Sequence, residues 1–381
     1  MKKKNKIHIN QSTGPWCLPA LFTLFALIFL TAPLSTAWSR TNNVGNDYVY
    51  WKKVGSQAAV QANRMLHNQV PRYNSTNCLA LTNAGYAEVN NRATMGALDG
   101  LTNILRVSRG NHSLVELQSA PTAPLWFAVY DKISGVLAYL EVDSSAVREK
   151  SLIQSSMLFS TAVTEQINAE HLYKNAAVYG EKFDNKIFNG NEFRIVTIAN
   201  ALSAGVSTAA VRAFEFHDHY CPGVTSGVLL AEYIKKYFPA NPGSKYFIQA
   251  VQPWCKEDAL MVLLNATPGK KSYSVAYPSE EDIAAWPNWA KNVSTVAYRY
   301  DKESESWEGI ALGYTWGETG CPDYGHSVMN KLCTDLWYLD QMDHPEQFVT
   351  ILKRFNLPRG ADPKEYARPG VDPVFLMDYW D

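Results

Sequence analysis

Hydrophobic positions along the chain fall into blocks that occur twice in the same order. From Gly55 to Pro71, and again from Gly223 to Pro239, apolar residues mark a helix that ends at its proline. Further on, Gly96–Ser113 lies without gaps over Cys255–Ser272. Asp99 and Asp258, Leu101 and Leu260, Leu105 and Leu264, Gly110 and Gly269, and Ser113 and Ser272 coincide. Each of these blocks reads as a helix, a glycine-marked turn and a strand, over Leu114–Leu117 in one and Tyr273–Tyr277 in the other. A third pair, Val129-Tyr130-Asp131-Lys132 and Arg299-Tyr300-Asp301-Lys302, ends one strand before the turn into the next.

Matching order over three blocks points to a duplication. It divides the chain into a first copy (44–148), a connecting region (149–204), a second copy (205–318) and a C-terminal extension (319–381). The connecting region predicts a helix around Thr164–Lys182 and turns over Asn185–Asn191. The extension predicts a loop between Cys321 and Cys333, a helix near Pro345–Phe355 and a Pro/Gly-punctuated coil. Helices and strands mix without regular βαβ alternation, which gives an α+β fold class rather than a doubly wound sheet.

The first residues read differently. Lys2, Lys3, Lys4 and Lys6 precede an apolar run from Leu18 to Ala32, and Ser35-Thr36-Ala37 offers small residues for a cut after Ala37. The run is short for a bilayer span, which needs ~20 apolar residues. A cleaved signal peptide over 1–37 is expected in preference to an uncleaved anchor, with the mature protein periplasmic or secreted and without a stable membrane span after cleavage. A formal net charge of −1 gives no global attraction to nucleic acid.

Cysteine usage sharpens this. Loss of Cys17 with the leader leaves Cys78, Cys221, Cys255, Cys321 and Cys333. In an oxidising compartment, an odd number leaves at least one thiol free, metal-bound or intermolecular. Cys321 and Cys333, with Pro322 and Gly325 between them, suit a loop-closing disulfide. Cys221 and Cys255 are then either a second disulfide or available for chemistry, and Cys78 is unassigned.

The second copy opens with His217-Asp218-His219-Tyr220-Cys221-Pro222-Gly223. Pro222 suits the first turn of the helix over Val224–Phe238. A cysteine just before a helix N-terminus meets the positive end of the dipole, which favours thiolate. Imidazole and thiolate together suit Zn²⁺, Ni²⁺, copper or iron better than Mg²⁺ or Ca²⁺. Cys255 and Asp258 share one face of the next helix by their spacing. A second thiolate completes a mixed nitrogen–sulfur set, with Asp258 as ligand or as partner to a histidine. The bland alternative is a surface histidine pair, a buried free cysteine and a capping aspartate. Tyr220 and Trp254 flank the cysteines, and Lys270 and Lys271 follow a glycine turn like a weak anion cradle. His326 is either a surface residue on the disulfide loop or an extension of a metal site.

His-x-His-x-Cys-Pro-Gly, then Cys255-x-x-Asp258-Ala259 leading to Thr267-x-Gly269-Lys270, resembles the FmdE family, named after the formylmethanofuran dehydrogenase operon, over about 205–315. The resemblance implies an α+β domain that dimerises in an intertwined way around a metal held in a cleft by His217, His219, Cys221 and Cys255. Two departures are visible: Asn265-Ala266 stand where the family often has Gly-Cys, and no CxxC zinc ribbon follows. The first copy lacks the soft ligands, with Val49, Trp51 and Lys53 facing His217, His219 and Cys221, and Gly96 facing Cys255. It is expected to pair with the second as an intramolecular pseudo-dimer, leaving the protein monomeric with one site.

Three functions follow as expectations. The first is an exported metalloprotein, zinc by default, with Asp258 as acid/base or orienting group if there is catalysis. The second is a non-catalytic module that binds a metal, a small molecule or a metal-containing cofactor. The third is a structural protein whose metal is a staple.

Overall fold

The computed structural model describes residues 34–147 and 157–377. Nearly all of the expected signal peptide lies outside the described residues, and no described helix is long and apolar enough to cross a membrane. The chain divides into a unit up to Asn46 and a unit from Asp47, and both large sheets belong to the second.

The first helix, α1 (Leu34–Gln69), buries Trp51, Val54, Ala58, Ala62 and Leu66 at the three-to-four-residue spacing of one helical face. β1 (Cys78–Thr82), a small ribbon of β2 (Glu88–Val89) and β3 (Arg92–Ala93), and α2 (Gly96–Leu105) follow. β4 (Leu114–Glu116), β5 (Trp126–Asp131), β6 (Val136–Val142) and β7 (Phe159–Gln166) complete a five-stranded sheet in the order β4-β1-β5-β6-β7. Only β1 and β4 pair in parallel. Both faces of this sheet are covered, so its inner strands are continuous apolar runs. Cys78, Ala80, Phe127 and Val129 pack with α1 and α2. Leu79, Leu81, Trp126 and Ala128 pack with the connecting helices α3 (Ala169–Lys174), α4 (Ala176–Asp184), α5 (Glu192–Ser203) and α6 (Thr208–His217).

The second half repeats this plan. α7 (Pro222–Tyr237), β8 (Tyr246–Val251), α8 (Lys256–Leu263), β9 (Tyr273–Ala276), α9 (Glu280–Ala285), β10 (Val293–Asp301) and β11 (Ser306–Tyr314) come in turn. After α10 (Ser327–Leu339), β12 (Val349–Asn356) finishes the sheet. Its order is β9-β8-β10-β11-β12, again with one parallel pair, β8 with β9. Strand for strand, this is the N-terminal topology. The matching hairpins share a turn: Ser134 Oγ donates to Asp131 Oδ2 at 2.6 Å, and Ser304 Oγ to Asp301 Oδ2 at 2.6 Å. α7 and α8 cover one face, while the other packs on Trp286, Leu357, Val374 and Met377.

Several local expectations are corrected. Thr164–Gln166 closes β7 and is not helical; the helical part of that stretch starts at Ala169. The expected helix over Pro345–Phe355 is one 3-10 turn, Pro345–Gln347, followed by β12. The fifth strand of each sheet therefore falls in what the sequence assigned to the connecting region and to the extension. α10 occupies part of the extension where only a loop was expected.

Helix packing also shifts one equivalence. By sequence Gly55 pairs with Gly223. In the fold, a Cβ on Gly55 would lie 2.7 Å from the Ala97 Cα, and a Cβ on Gly227 would lie 2.7 Å from the Lys256 Cα. Ala97 and Lys256 are aligned residues, so Gly55 and Gly227 do the same work, one turn away from the sequence pairing. Gly227→Ala would press its methyl group into the backbone of α8. We expect it to lower unfolding free energy by about 1–3 kcal/mol in denaturant titration, as overpacking does.

Candidate metal centre

Three helix ends meet at one point. Ser207 caps α6 by accepting from the Ala210 N–H, and His217 closes its last turn. Asp218 then adopts a left-handed conformation (φ 72°), an unfavourable geometry for a residue with a Cβ, and stops the helix. His219 and the fully buried Tyr220 carry the chain to Cys221, the N-cap of α7, with Pro222 at the first helical position. Cys255 is likewise the N-cap of α8. Both thiols thus stand at positive helix ends, where thiolate is stabilised. Gly223 makes the approach possible, because a Cβ there would sit 2.7 Å from the Cys255 Cβ.

The donor atoms of His217, His219, Cys221 and Cys255 lie within 4.8 Å of one another. The two imidazole rings are 4.3 Å apart at 56°. Each ring is held from behind by a carboxylate: His217 Nδ1 is 2.6 Å from Asp258 Oδ2, and His219 Nδ1 is 2.7 Å from Asp218 Oδ1. In the neutral ring, a proton on Nδ1 leaves the Nε2 lone pair as the free donor, and His217 Nε2 is buried without a hydrogen-bond partner. Cys221 is buried and Cys255 half-buried, and neither is in a disulfide.

The electrostatics are those of a crowded donor set. Burial opposes charge on His217, but the Asp258 carboxylate and Cys255 sulfur outweigh it and raise its pKa to about 9. His219 is raised in the same way against its burial, by Asp218 and Cys255. The Cys221–Cys255 hydrogen bond divides the pair, so Cys255 is pushed down into the thiolate range with help from both histidines. Cys221 is pushed up by that bond and by burial.

The sequence singled out four residues for the centre, and the fold brings all four together. It places Asp258 behind His217, where it fixes a tautomer. Four further neighbours were missed. Asp218 sits inside the motif between the histidines, and its carboxylate also takes Arg194 at 3.0 Å. Phe193 packs on the His219 ring at 5.1 Å, and Lys331 Nζ lies 4.9 Å from the Phe193 centroid. Phe193 and Arg194 belong to α5, so this wall of the site comes from the connecting region. The first copy reaches α6 just before the site, where the Gln118 N–H donates to the Glu215 carbonyl and Arg109 pairs with Glu215 at 3.2 Å. Its retained Asp99 takes a tyrosine in place of a histidine, with Tyr48 Oη donating at 2.6 Å.

Other singled-out residues lie apart from this centre. Cys321 and Cys333 form the expected disulfide, and His326 caps α10. Cys78 is buried beside Tyr73 in the first core. Lys270 contacts Asn265.

Residues 216–308 match the family model described as FmdE, Molybdenum formylmethanofuran dehydrogenase operon. That span contains His217, His219, Cys221, Cys255 and Asp258 but none of the first half. No curated protein matches the chain.

Behind Cys221, Asp335 of α10 is fully buried and accepts from Thr225 Oγ1 at 3.1 Å. Burial raises its pKa well above the usual carboxylate value. The folded state then keeps a proton that the unfolded chain releases above pH ~3.9, so this group's contribution to stability falls as pH rises from there. Asp335→Asn is expected to flatten the decline of thermal stability between acidic and neutral pH; an unchanged slope would contradict the assignment.

Proposed function

We propose that this protein is a metal-binding protein whose His217, His219, Cys221 and Cys255 hold one transition-metal ion, zinc by default. The observation that carries the reading is the pair of imidazoles fixed from behind by carboxylates, with a buried, unpartnered Nε2 turned toward two thiols. Two nitrogens and two sulfurs within 4.8 Å of one another are the donor types and number that would hold such an ion. When bound, such an ion supplies a Lewis-acidic centre in a nitrogen–sulfur field.

The chain's own residues account for the rest. Asp258 and Asp218 hold the imidazole tautomers and orientations. The N-termini of α7 and α8 favour thiolate at Cys221 and Cys255. Phe193 excludes water from one side of His219. Four protein donors satisfy a tetrahedral ion by themselves, so the geometry supports holding a metal over turning over a substrate, and Asp258 acts as orienting group. A second reading, capture of a small molecule beside the metal, is favoured by Trp254, which stands more than half exposed directly before Cys255.

The N-terminal half is the structural partner of the metal-bearing half within one chain. Shared topology and the Gln118–Glu215 contact support this pseudo-dimer. The protein is also exported to the periplasm or beyond. Its basic and apolar N-terminal sequence supports this, and so does the Cys321–Cys333 disulfide, which suits an oxidising compartment.

Elemental analysis of protein purified without added metal should give one ion per chain, and Cys221→Ser should lose it. Retention of stoichiometric metal by that variant would refute the ligand set. Asp258→Asn should keep the ion but weaken affinity ~10–100-fold in competition with a chelator, as loss of a carboxylate behind a histidine does. For export, N-terminal sequencing of the mature protein should begin at Trp38; a start at Met1 in protein recovered from the cytoplasm would remove the export reading.

A further inference from the structure

Beside the four-residue centre lies a pocket of about 260 Å³, and the Trp254 that favours the second reading above is part of its wall. Its wall is built from two tryptophans. Trp316 leans on Tyr314 (4.9 Å, 72°) and Tyr338 (6.1 Å, 72°), which fix its ring while leaving 45% of the residue exposed. Trp254 meets Trp316 edge to face at 5.8 Å and 77°, and is 56% exposed. The two indoles therefore form a corner, held open on a rigid aromatic base. Large aromatic surface left facing a cavity is the usual mark of a ligand contact.

The remaining lining is polar. Gln252, Asn292 and Lys291 rim the cavity. Lys256 also lines it, but its ammonium is already engaged by Glu257 and the Gln252 carbonyl. Lys291 is exposed and makes no ion pair among the described residues, so it is the positive charge free to meet a ligand. At about 260 Å³ the pocket suits a small ligand, falling below the ~300–1,000 Å³ of drug-sized sites. Trp254 also lies against the first turn of α7: a Cβ on Gly223 would be 3.5 Å from its Cδ2 and 3.2 Å from the Cys255 sulfur. The pocket and the metal ligands thus share one short stretch of backbone.

We propose that this pocket binds a planar aromatic anion of one or two rings, stacked in the Trp254–Trp316 corner with its charge on Lys291, beside the metal. Its adjacency to a metal rests on the reading of the four ligands given above; the pocket itself does not.

Naphthalene-2-carboxylate serves as the probe, titrated into the full chain with tryptophan emission and calorimetry as readouts. Naphthalene-2-carboxamide and cyclohexanecarboxylate are the uncharged and non-aromatic controls. The carboxylate should bind best, Trp316→Ala should weaken it about tenfold, and Lys291→Met should weaken it about fivefold while leaving the carboxamide unchanged. Equal binding of the cyclohexane analogue, or no effect of Trp316→Ala, would overturn the proposal. Metal content measured on the same samples separates the two readings. Selective binding by metal-free wild-type protein sinks the metal centre alone, and a full metal complement without selective binding sinks the pocket alone.

Discussion

The approach of α7 to α8 is the constraint on which the site depends. Gly227 lets the two backbones touch and Gly223 admits the side chain of Cys255, so both helices start at nearly the same point. Two helix N-termini, each capped by a cysteine, then face the C-terminal end of α6 with its histidines. Any side chain at those two glycines would separate the starts of the helices, and the two thiols would no longer lie side by side. The sheet beneath, β9-β8-β10-β11-β12, holds the pair from below by packing Ile248, Ala250 and Ala297 against Leu230, Ile234 and Leu260.

Much of this was legible in the sequence because it depends on local chemistry. His217, His219 and Cys221 are close in the chain, and Pro222 announces the helix that orients the cysteine. Cys321 and Cys333 are separated by turn residues and pair as expected. Cys255 was legible through its spacing to Asp258, although bringing it to Cys221 required the packing of two helices. The blocks that align in sequence fall in two halves whose sheets repeat one topology.

What escaped was decided by non-local burial. β7 is half-exposed along its length, so Phe159–Gln166 lacks the apolar run that marked the inner strands. β12 is also an edge strand, with charged Lys353 and Arg354 in its second half, and its preceding proline resembled a helix start. The wall formed by Phe193 and Arg194 had no signal near the motif, since only the docking of α5 brings these residues to His219. Asp218 did lie in plain sight between the histidines; its role depends on a left-handed backbone turn that residue type alone does not announce.

That turn separates the halves more deeply than their ligands do. Where the second half stops α6 at Asp218 and restarts with α7, the first half runs through as the single helix α1. A continuous helix points successive side chains around a cylinder and cannot converge three donors from a five-residue stretch. Grafting histidines and cysteines into α1 would therefore decorate a rod. The difference between the halves is a joint, and placing such a donor set in the first half would take a break in the backbone as well as new side chains.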